Sequence, residues 1–256
     1  MSNYLTYEAQ KHTNQAVLNV NDPLVVEQPL AIKINGEALS VTMQTPGDEI
    51  DLVIGLLYSE DIFRKASALL NFKLTKNKNG IIDEIDVAIP ESAIGKGYLN
   101  SRQLLSVSSC GICGRTEFEP RIGEKLVNQN LDTAFLSGTI QRLAENQSLF
   151  KVTGGCHGVA AFGVDSELLV LREDIGRHNA TDKVIGALLQ QGKLNEAKIL
   201  SVSGRVSYEI VSKCFMAGIS TLVAVSAPST LAVDYCKELG ITLAAFCRDD
   251  RITLYT

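Results

Sequence analysis

The alternation of apolar and polar residues is clearest in the first third of the chain. Residues 31–34 and 38–43 alternate on either side of Asn35-Gly36. Because asparagine and glycine accept the positive φ angles of a type I′ turn, this pattern predicts a β-hairpin. The segment Pro46-Gly47-Asp48 then ends the hairpin, and Asp48 is predicted to cap a helix that runs to about Tyr58.

Weaker patterns surround this hairpin. The N-terminal residues 1–21 contain no apolar run, which predicts a weakly ordered N-terminus. Alternation over 81–89 predicts a half-buried strand, and we interpret 22–105 as a small α+β domain. Small residues and glycines dominate the stretch that follows, so 106–130 is predicted to be a mobile loop.

The pattern becomes regular in the C-terminal part, 131–256, where short apolar strands alternate with helical stretches. The predicted strands are 167–171, 197–202, 221–225 and 242–246, and the predicted helices are 133–147, 179–190, 208–217 and 231–239. Short connections between such elements are typical of parallel β-α-β units with right-handed crossovers. The fold class is therefore α/β in this part and α+β for the whole chain.

This arrangement also predicts a binding edge. In open α/β sheets, ligands bind beyond the carboxyl ends of the strands, and the free N–H groups and dipoles of the helix N-termini there favour phosphate. Arginine suits phosphate better than lysine because its planar fork binds two oxygens at once. The edge would include Arg172, Arg177, His178, Ser203, Gly204, Arg205, Ser226 and Ser229. Structural ion pairs remain the alternative interpretation of Arg172 and Arg177.

Composition narrows the function classes. The chain has 256 residues, of which 45% are hydrophobic and 21% charged, as in ordinary globular proteins with a sizeable core. Its net charge of −5 argues against a non-specific nucleic-acid-binding protein. We see no signal peptide and no apolar stretch of membrane-spanning length, so we expect a cytoplasmic protein without membrane contact. Its six cysteines would then be reduced thiols.

The sequence Cys110-Gly-Ile-Cys113 is the sharpest local feature, and three interpretations compete. A thioredoxin-like redox pair would follow a strand and open a helix, whereas this pair lies among glycines and serines. A zinc site needs four ligands, which Cys156 and His157 could complete. The third interpretation is a flexible nucleophile. Backbone N–H groups or Arg115 would stabilise its thiolate. We favour the nucleophile and predict no structural zinc.

The remaining cysteines divide into two groups. Cys156 and His157 follow two glycines, so this segment is either a tight turn with a buried thiol or part of a site in which His157 donates or shuttles a proton. Cys214 and Cys236 fall within predicted helices and are expected in the core. Cys247 lies at a strand end, where both a core role and a site role stay open.

Together, five segments of the chain resemble the FdhD family, the accessory proteins of formate dehydrogenase. They occur in order within 24–256, and a chance match to all five is far less probable than to one Cys-x-x-Cys. The five segments are Ser108-Ser-Cys-Gly-Ile-Cys-Gly114, Thr153-Gly-Gly-Cys-His157, Arg172-Glu-Asp-Ile-Gly-Arg-His-Asn-Ala180 with Asp182-Lys183, Ser203-Gly-Arg-Val-Ser-Tyr208 and Ser226-Ala-Pro-Ser229.

This resemblance implies a sulfurtransferase. Family members take sulfur from a cysteine desulfurase and deliver it to the molybdenum bis(molybdopterin guanine dinucleotide) cofactor that apo formate dehydrogenase requires. Carried over, Cys110 holds the persulfide and Cys113 is its partner, and GDP would mimic a fragment of the cofactor. The resemblance also implies a homodimer and a cytidine deaminase-like three-layer domain with a mixed, mostly parallel sheet. Its cofactor-binding segment corresponds to Phe246, Cys247, Arg248, Asp249, Asp250 and Arg251.

Two rival functions follow from the same features. A zinc-dependent deaminase requires His-x-Glu and Pro-Cys-x-x-Cys, but none of the three histidines is followed by x-Glu, and Ser109 precedes Cys110. A molybdenum cofactor chaperone without sulfur chemistry would need no reactive cysteine. Whether Cys113 attacks the Cys110 persulfide and forms a disulfide also stays open.

Overall fold

The computed structural model describes residues 3–98, 125–127, 132–248 and 251–255. Its strands are β1 (Tyr4–His12), β2 (Val17–Val25), β3 (Gln28–Ile34), β4 (Glu37–Gln44), β5 (Asn71–Lys76), β6 (Ile82–Ala88), β7 (His157–Phe162), β8 (Leu168–Asp174), β9 (Ile199–Val202), β10 (Thr221–Ala224), β11 (Thr242–Arg248) and β12 (Arg251–Tyr255). Its helices are α1 (Glu49–Ser59), α2 (Thr133–Asn146), α3 (Ser148–Thr153), α4 (Arg177–Gln190), α5 (Tyr208–Met216) and α6 (Thr230–Leu239). None of these helices is long and apolar enough to span a membrane.

The N-terminal residues form a two-stranded hairpin rather than the weakly ordered segment that the sequence predicts. Strands β1 and β2 pair antiparallel from Tyr4 opposite Val25 to His12 opposite Val17. The prediction was wrong because it relied on apolar runs. Most residues of this hairpin are exposed, including the apolar Leu5 and Tyr7, so no buried apolar run marks its strands.

The next sheet has the order β4-β3-β6-β5 and packs against α1. It contains the predicted hairpin, whose turn residues Asn35 and Gly36 have φ angles of 52° and 84°. Helix α1 also begins where predicted, but the role of Asp48 was wrong. The Asp48 side chain makes no capping hydrogen bond, and its carboxylate lies 3.3 Å from Nε of Arg172 instead.

The larger sheet has the order β12-β11-β10-β9-β7-β8. Strands β9, β10 and β11 are parallel neighbours, as the sequence predicts. The sheet is less parallel than expected, because β7 runs antiparallel to both β8 and β9, and β12 runs antiparallel to β11. As a result β8, β9, β10 and β11 all point in one direction, and their carboxyl ends share one edge of the sheet.

Helices cover both faces of this sheet. Helices α4, α5 and α6 bury one face, and α2 buries the other through Leu136 and Leu143. Helix α1 lies on the outer side of α4 and joins the two sheets. The α1–α4 crossing is close because Gly55 faces the backbone of Asp182 and Gly186 faces the backbone of Asp51.

Buried ion pairs reinforce this central layer. Lys183 lies 2.8 Å from the Asp174 carboxylate, with both side chains almost fully buried, and it also donates to the carbonyl of Thr45. Lys213 donates to both carboxylate oxygens of Asp182 at 2.8 and 2.9 Å. Removing one partner of such a pair leaves an uncompensated buried charge, so these residues fix the position of α4.

Candidate functional site

The sheet topology brings five chain segments to one edge. The carboxyl ends of β8, β9, β10 and β11 meet there, and so does the first residue of β7, because β7 runs in the opposite direction. Helices α4, α5 and α6 begin at the same edge, directly after these strands. Their first N–H groups and the positive ends of their dipoles therefore lie together, as the sequence analysis expects for an anion site.

Three cationic or titratable side chains surround the turn after β9. An added Cβ on Gly204 would lie 3.2 Å from Nδ1 of His157 and 3.5 Å from Cβ of Arg177, so both side chains lie against this glycine. Burial, Arg177 and Arg205 lower the pKa of His157, which places both guanidinium groups within electrostatic reach of the imidazole. Among the described residues, the buried Nε of Arg177 has no hydrogen-bond partner. The edge therefore holds positive charge that an anion would compensate.

Three further predicted site residues, Ser203, Ser229 and His178, make polar contacts at this edge. Ser203 Oγ accepts a hydrogen bond from the N–H of Gly158 at 3.0 Å, and Ser229 Oγ accepts one from the first turn of α6. Nε2 of His178 lies 3.4 Å from Ser207 Oγ and 3.9 Å from the Glu209 carboxylate. These contacts hold the starts of the helices in place.

The turn after β10 and the last residues of β11 form the far end of the edge. The N–H of Phe246 donates to the carbonyl of Ser226 at 3.2 Å. Phe246 has a φ angle of 54° and is 45% exposed, and the register of β11 against β12 shifts there. Such a bulge redirects a side chain, and an exposed aromatic ring offers a stacking surface. Arg248 and Arg251 are opposite each other in the ladder, and both are exposed, whereas Asp249 and Asp250 lie outside the described residues.

The side chains of two predicted site residues, Arg172 and Cys247, do not lie at this edge. Arg172 donates to the Asp51 carboxylate of α1 at 2.8 and 3.0 Å, so it takes the structural ion-pair role that the sequence left as an alternative. Cys247 is 2% exposed and lies in the hydrophobic cluster under α2. Its side chain therefore packs on the face of the sheet that α2 covers. We leave both residues out of the candidate site.

All four cysteines of the described ranges are buried free thiols: Cys156, Cys214, Cys236 and Cys247. Burial raises each pKa, to about 12 for Cys156 and Cys236, to about 11 for Cys247 and well above the usual value for Cys214. The core positions expected of Cys214 and Cys236 are confirmed. Since the thiolate is the reactive form, none of these four thiols is suited to nucleophilic chemistry near neutral pH.

Cys156 shows how the glycine turn is held. Its thiol donates to the Glu173 carboxylate at 3.4 Å, and the same carboxylate accepts from the N–H groups of Leu149 and Phe150 at 2.8 Å each. Glu173 therefore joins α3 to the start of β7. Glu173 is not among the residues that the sequence predicts for the site, and no periodic signal marks it.

Cys110 and Cys113 lie outside the described residues. Within those residues, no group of three or more histidine, cysteine or acidic side chains could hold a metal ion. The prediction that the chain holds no structural zinc stays a prediction, because the proposed ligand set includes both of these cysteines.

Comparisons with known proteins agree with one another. The model of the FdhD/NarQ family matches residues 25–256. A sulfur carrier protein FdhD from Mycolicibacterium paratuberculosis is 40% identical over 92% of this chain and 90% of its own length. One from Mycobacterium tuberculosis is 38% identical over 94% and 92%. The crystal structure of a Desulfotalea psychrophila protein, named as a formate dehydrogenase accessory protein, superposes with a TM-score of 0.74 at 22% identity over 100% of this chain and 97% of its own, which supports the fold.

Proposed function

Because the chain belongs to the FdhD/NarQ family, we propose that it accepts sulfur from a cysteine desulfurase as a Cys110 persulfide. It passes this sulfur to the molybdenum bis(molybdopterin guanine dinucleotide) cofactor destined for formate dehydrogenase. The chain is then a sulfurtransferase, and the molybdenum cofactor is its substrate. As the resemblance implies, we also propose that it acts as a homodimer in the cytoplasm.

The burial of the other thiols carries this proposal. The chain has six cysteines, and four of them are buried with raised pKa values. A sulfur acceptor must approach a second protein and react as a thiolate. Elimination leaves Cys110 and Cys113, the pair that the family resemblance selects independently.

Sulfur transfer to Cys110 exchanges one S–S bond for another. The Cys110 thiolate attacks the outer sulfur of the desulfurase persulfide, and a new S–S bond forms. The S–S bond of the donor breaks, and the donor cysteine leaves as a thiolate. Neither protein is oxidised overall, and the proton of the Cys110 thiol passes to solvent.

Incubation with a cysteine desulfurase and L-cysteine is expected to add one sulfur atom to the wild-type chain and none to Cys110→Ala. Intact-mass analysis measures the gain, and peptide mapping after alkylation locates it. Cys113→Ala is the matched control, since it keeps the carrier cysteine. A sulfur found on Cys156 or another buried thiol would contradict the proposal.

The basic edge supports binding of the cofactor's nucleotide part. Three helix N-termini, the exposed Arg205 and Arg177, whose Nε has no partner in the described part of the chain, would face the phosphates. The exposed ring of Phe246 lies at the other end, with Arg248 and Arg251 beside it. Neighbouring strands are about 4.8 Å apart, and three such spacings separate β7 from β11. The edge is therefore an extended site, which suits a nucleotide better than a lone phosphate.

GDP is expected to bind this edge, and Arg177→Ala, Arg248→Ala and Arg251→Ala should each weaken it about tenfold or more. A charge-assisted hydrogen bond contributes about 1.5–3 kcal/mol, and about 1.4 kcal/mol corresponds to a factor of ten. Titration calorimetry measures the dissociation constants. Binding should weaken as salt is raised if the site is open to solvent.

Two controls sharpen this test. Lys33→Ala removes one positive charge far from the edge, where Lys33 pairs with Glu84, and it should bind GDP like wild type. ADP has the same phosphates, so a preference for GDP would reveal a base pocket. If wild type does not bind GDP, or if all three arginine variants bind it as tightly as wild type, the cofactor binds elsewhere.

A further inference from the structure

His157 occupies the centre of the basic edge. It is the first residue of β7, it lies half-buried, and its backbone is opposite Asp174 of β8. Its ring lies against Gly204 so closely that an added Cβ would come within 3.2 Å of Nδ1. The imidazole is therefore held between the turn after β9 and the first turn of α4.

The charged groups that face this imidazole come from three elements. Arg177 belongs to α4, Arg205 to the turn after β9, and Asp174 to β8. Asp174 would favour a protonated histidine, but its carboxylate is already paired with Lys183 at 2.8 Å and accepts from the N–H of Gly176. Burial and the two guanidinium groups outweigh it and lower the pKa of His157. In the free protein the imidazole therefore takes up a proton less readily than an ordinary histidine.

We infer that His157 takes up a proton when the diphosphate of a nucleotide ligand enters this edge, and releases the proton when the ligand leaves. This inference rests on the proposed function, since it assigns a role to His157 in the same site. The proton comes from solvent and returns to it, so no other reactant is needed.

The physical reason is charge compensation. Without a ligand, a protonated His157 would add a third positive charge beside Arg177 and Arg205. The two negative charges of a bound diphosphate remove this penalty and favour the imidazolium, which can donate a hydrogen bond to a phosphate oxygen. The pKa of His157 is then higher in the complex than in the free protein. Binding should tighten as pH falls between these two pKa values, by up to about tenfold per pH unit for one proton.

The test uses P1,P2-diguanosine diphosphate. Its phosphates carry no terminal group that titrates near neutral pH, so any proton taken up belongs to the protein. Calorimetry at about pH 7, near the ordinary pKa of histidine, is repeated in two buffers with different ionisation enthalpies. We expect uptake of up to one proton by wild type and none by His157→Gln. His12→Gln, which changes an exposed histidine of β1, is the matched control and should behave like wild type.

The outcomes separate this inference from the proposed function. If the ligand binds tightly without proton uptake, the role of His157 is wrong and the anion site stands. If the ligand does not bind, the anion site itself is wrong. Uptake that persists in His157→Gln would assign the proton to another group, with His178 the first candidate. A histidine NMR titration of wild type with and without the ligand gives a second readout, in which only the His157 resonance should titrate at higher pH in the complex.

Discussion

A Cys110→Ala protein is expected to fold like wild type and to give only background formate dehydrogenase activity in cells that lack their own copy of the family protein. None of the four cysteines of the described ranges can take over from Cys110, because they are buried with raised pKa values. Cys113 is proposed as the partner of Cys110 and not as a second carrier. Enzyme activity in the complemented strain measures the effect, and thermal unfolding of the purified protein checks the fold.

Cys236→Ala is the matched control for this experiment. Cys236 is fully buried on α6, so its replacement should lower stability by about 1 kcal/mol through lost core packing but should preserve activity. Full activity of Cys110→Ala would eliminate the sulfur carrier and favour the alternative, a cofactor chaperone without sulfur chemistry. Activity lost in Cys110→Ala and kept in Cys236→Ala distinguishes a chemical role of one thiol from a general effect of losing one.

The sequence predicts those elements whose signal is local. Asn35-Gly36 determines its own turn, and the period of two on either side determines the hairpin. Likewise, the alternation of strands and helices after 197 predicts the parallel order of β9, β10 and β11. The shared edge follows from that order, and for this reason the sequence could place Gly204, Arg205 and Ser226 at one edge of the sheet.

Other features depend on partners distant in the chain, and local pattern misses them. Arg172 has the same charge as Arg177, but only the tertiary position of Asp51 on α1 turns it into an ion-pair residue. For His157 the sequence left open a tight turn or a site role, because its position depends on the antiparallel direction of β7, which brings the start of that strand to the ends of its neighbours. The apolar run 158–162 could have predicted β7, but its direction is a property of the whole sheet.

The crossing of α1 and α4 depends on two glycines with no tolerance for a side chain. An added Cβ on Gly186 would lie 1.9 Å from the carbonyl oxygen of Asp51, and one on Gly55 would lie 1.9 Å from that of Asp182. Real Cβ atoms essentially never approach another atom within 3.0 Å, so the two helices would have to separate. The ion pairs Arg172–Asp51 and Lys213–Asp182 are anchored at the same two backbone positions.

Gly186→Ala is therefore expected to lower the free energy of unfolding by at least about 4 kcal/mol, a large part of the roughly 5–15 kcal/mol that stabilises a typical protein. Overpacking alone costs about 1–3 kcal/mol, and displaced ion pairs add to it because their charges stay buried. Urea unfolding followed by circular dichroism measures the change. Gly138→Ala is the matched control, since Gly138 lies in α2 and no atom of the described residues comes within 4 Å of an added Cβ. Alanine there should raise stability by about 0.5–1 kcal/mol. If the free energies of unfolding of both variants lie within about 1 kcal/mol of the wild-type value, the crossing is not the close contact described. The two sheets would then lack the rigid connection that positions Arg177 at the anion edge.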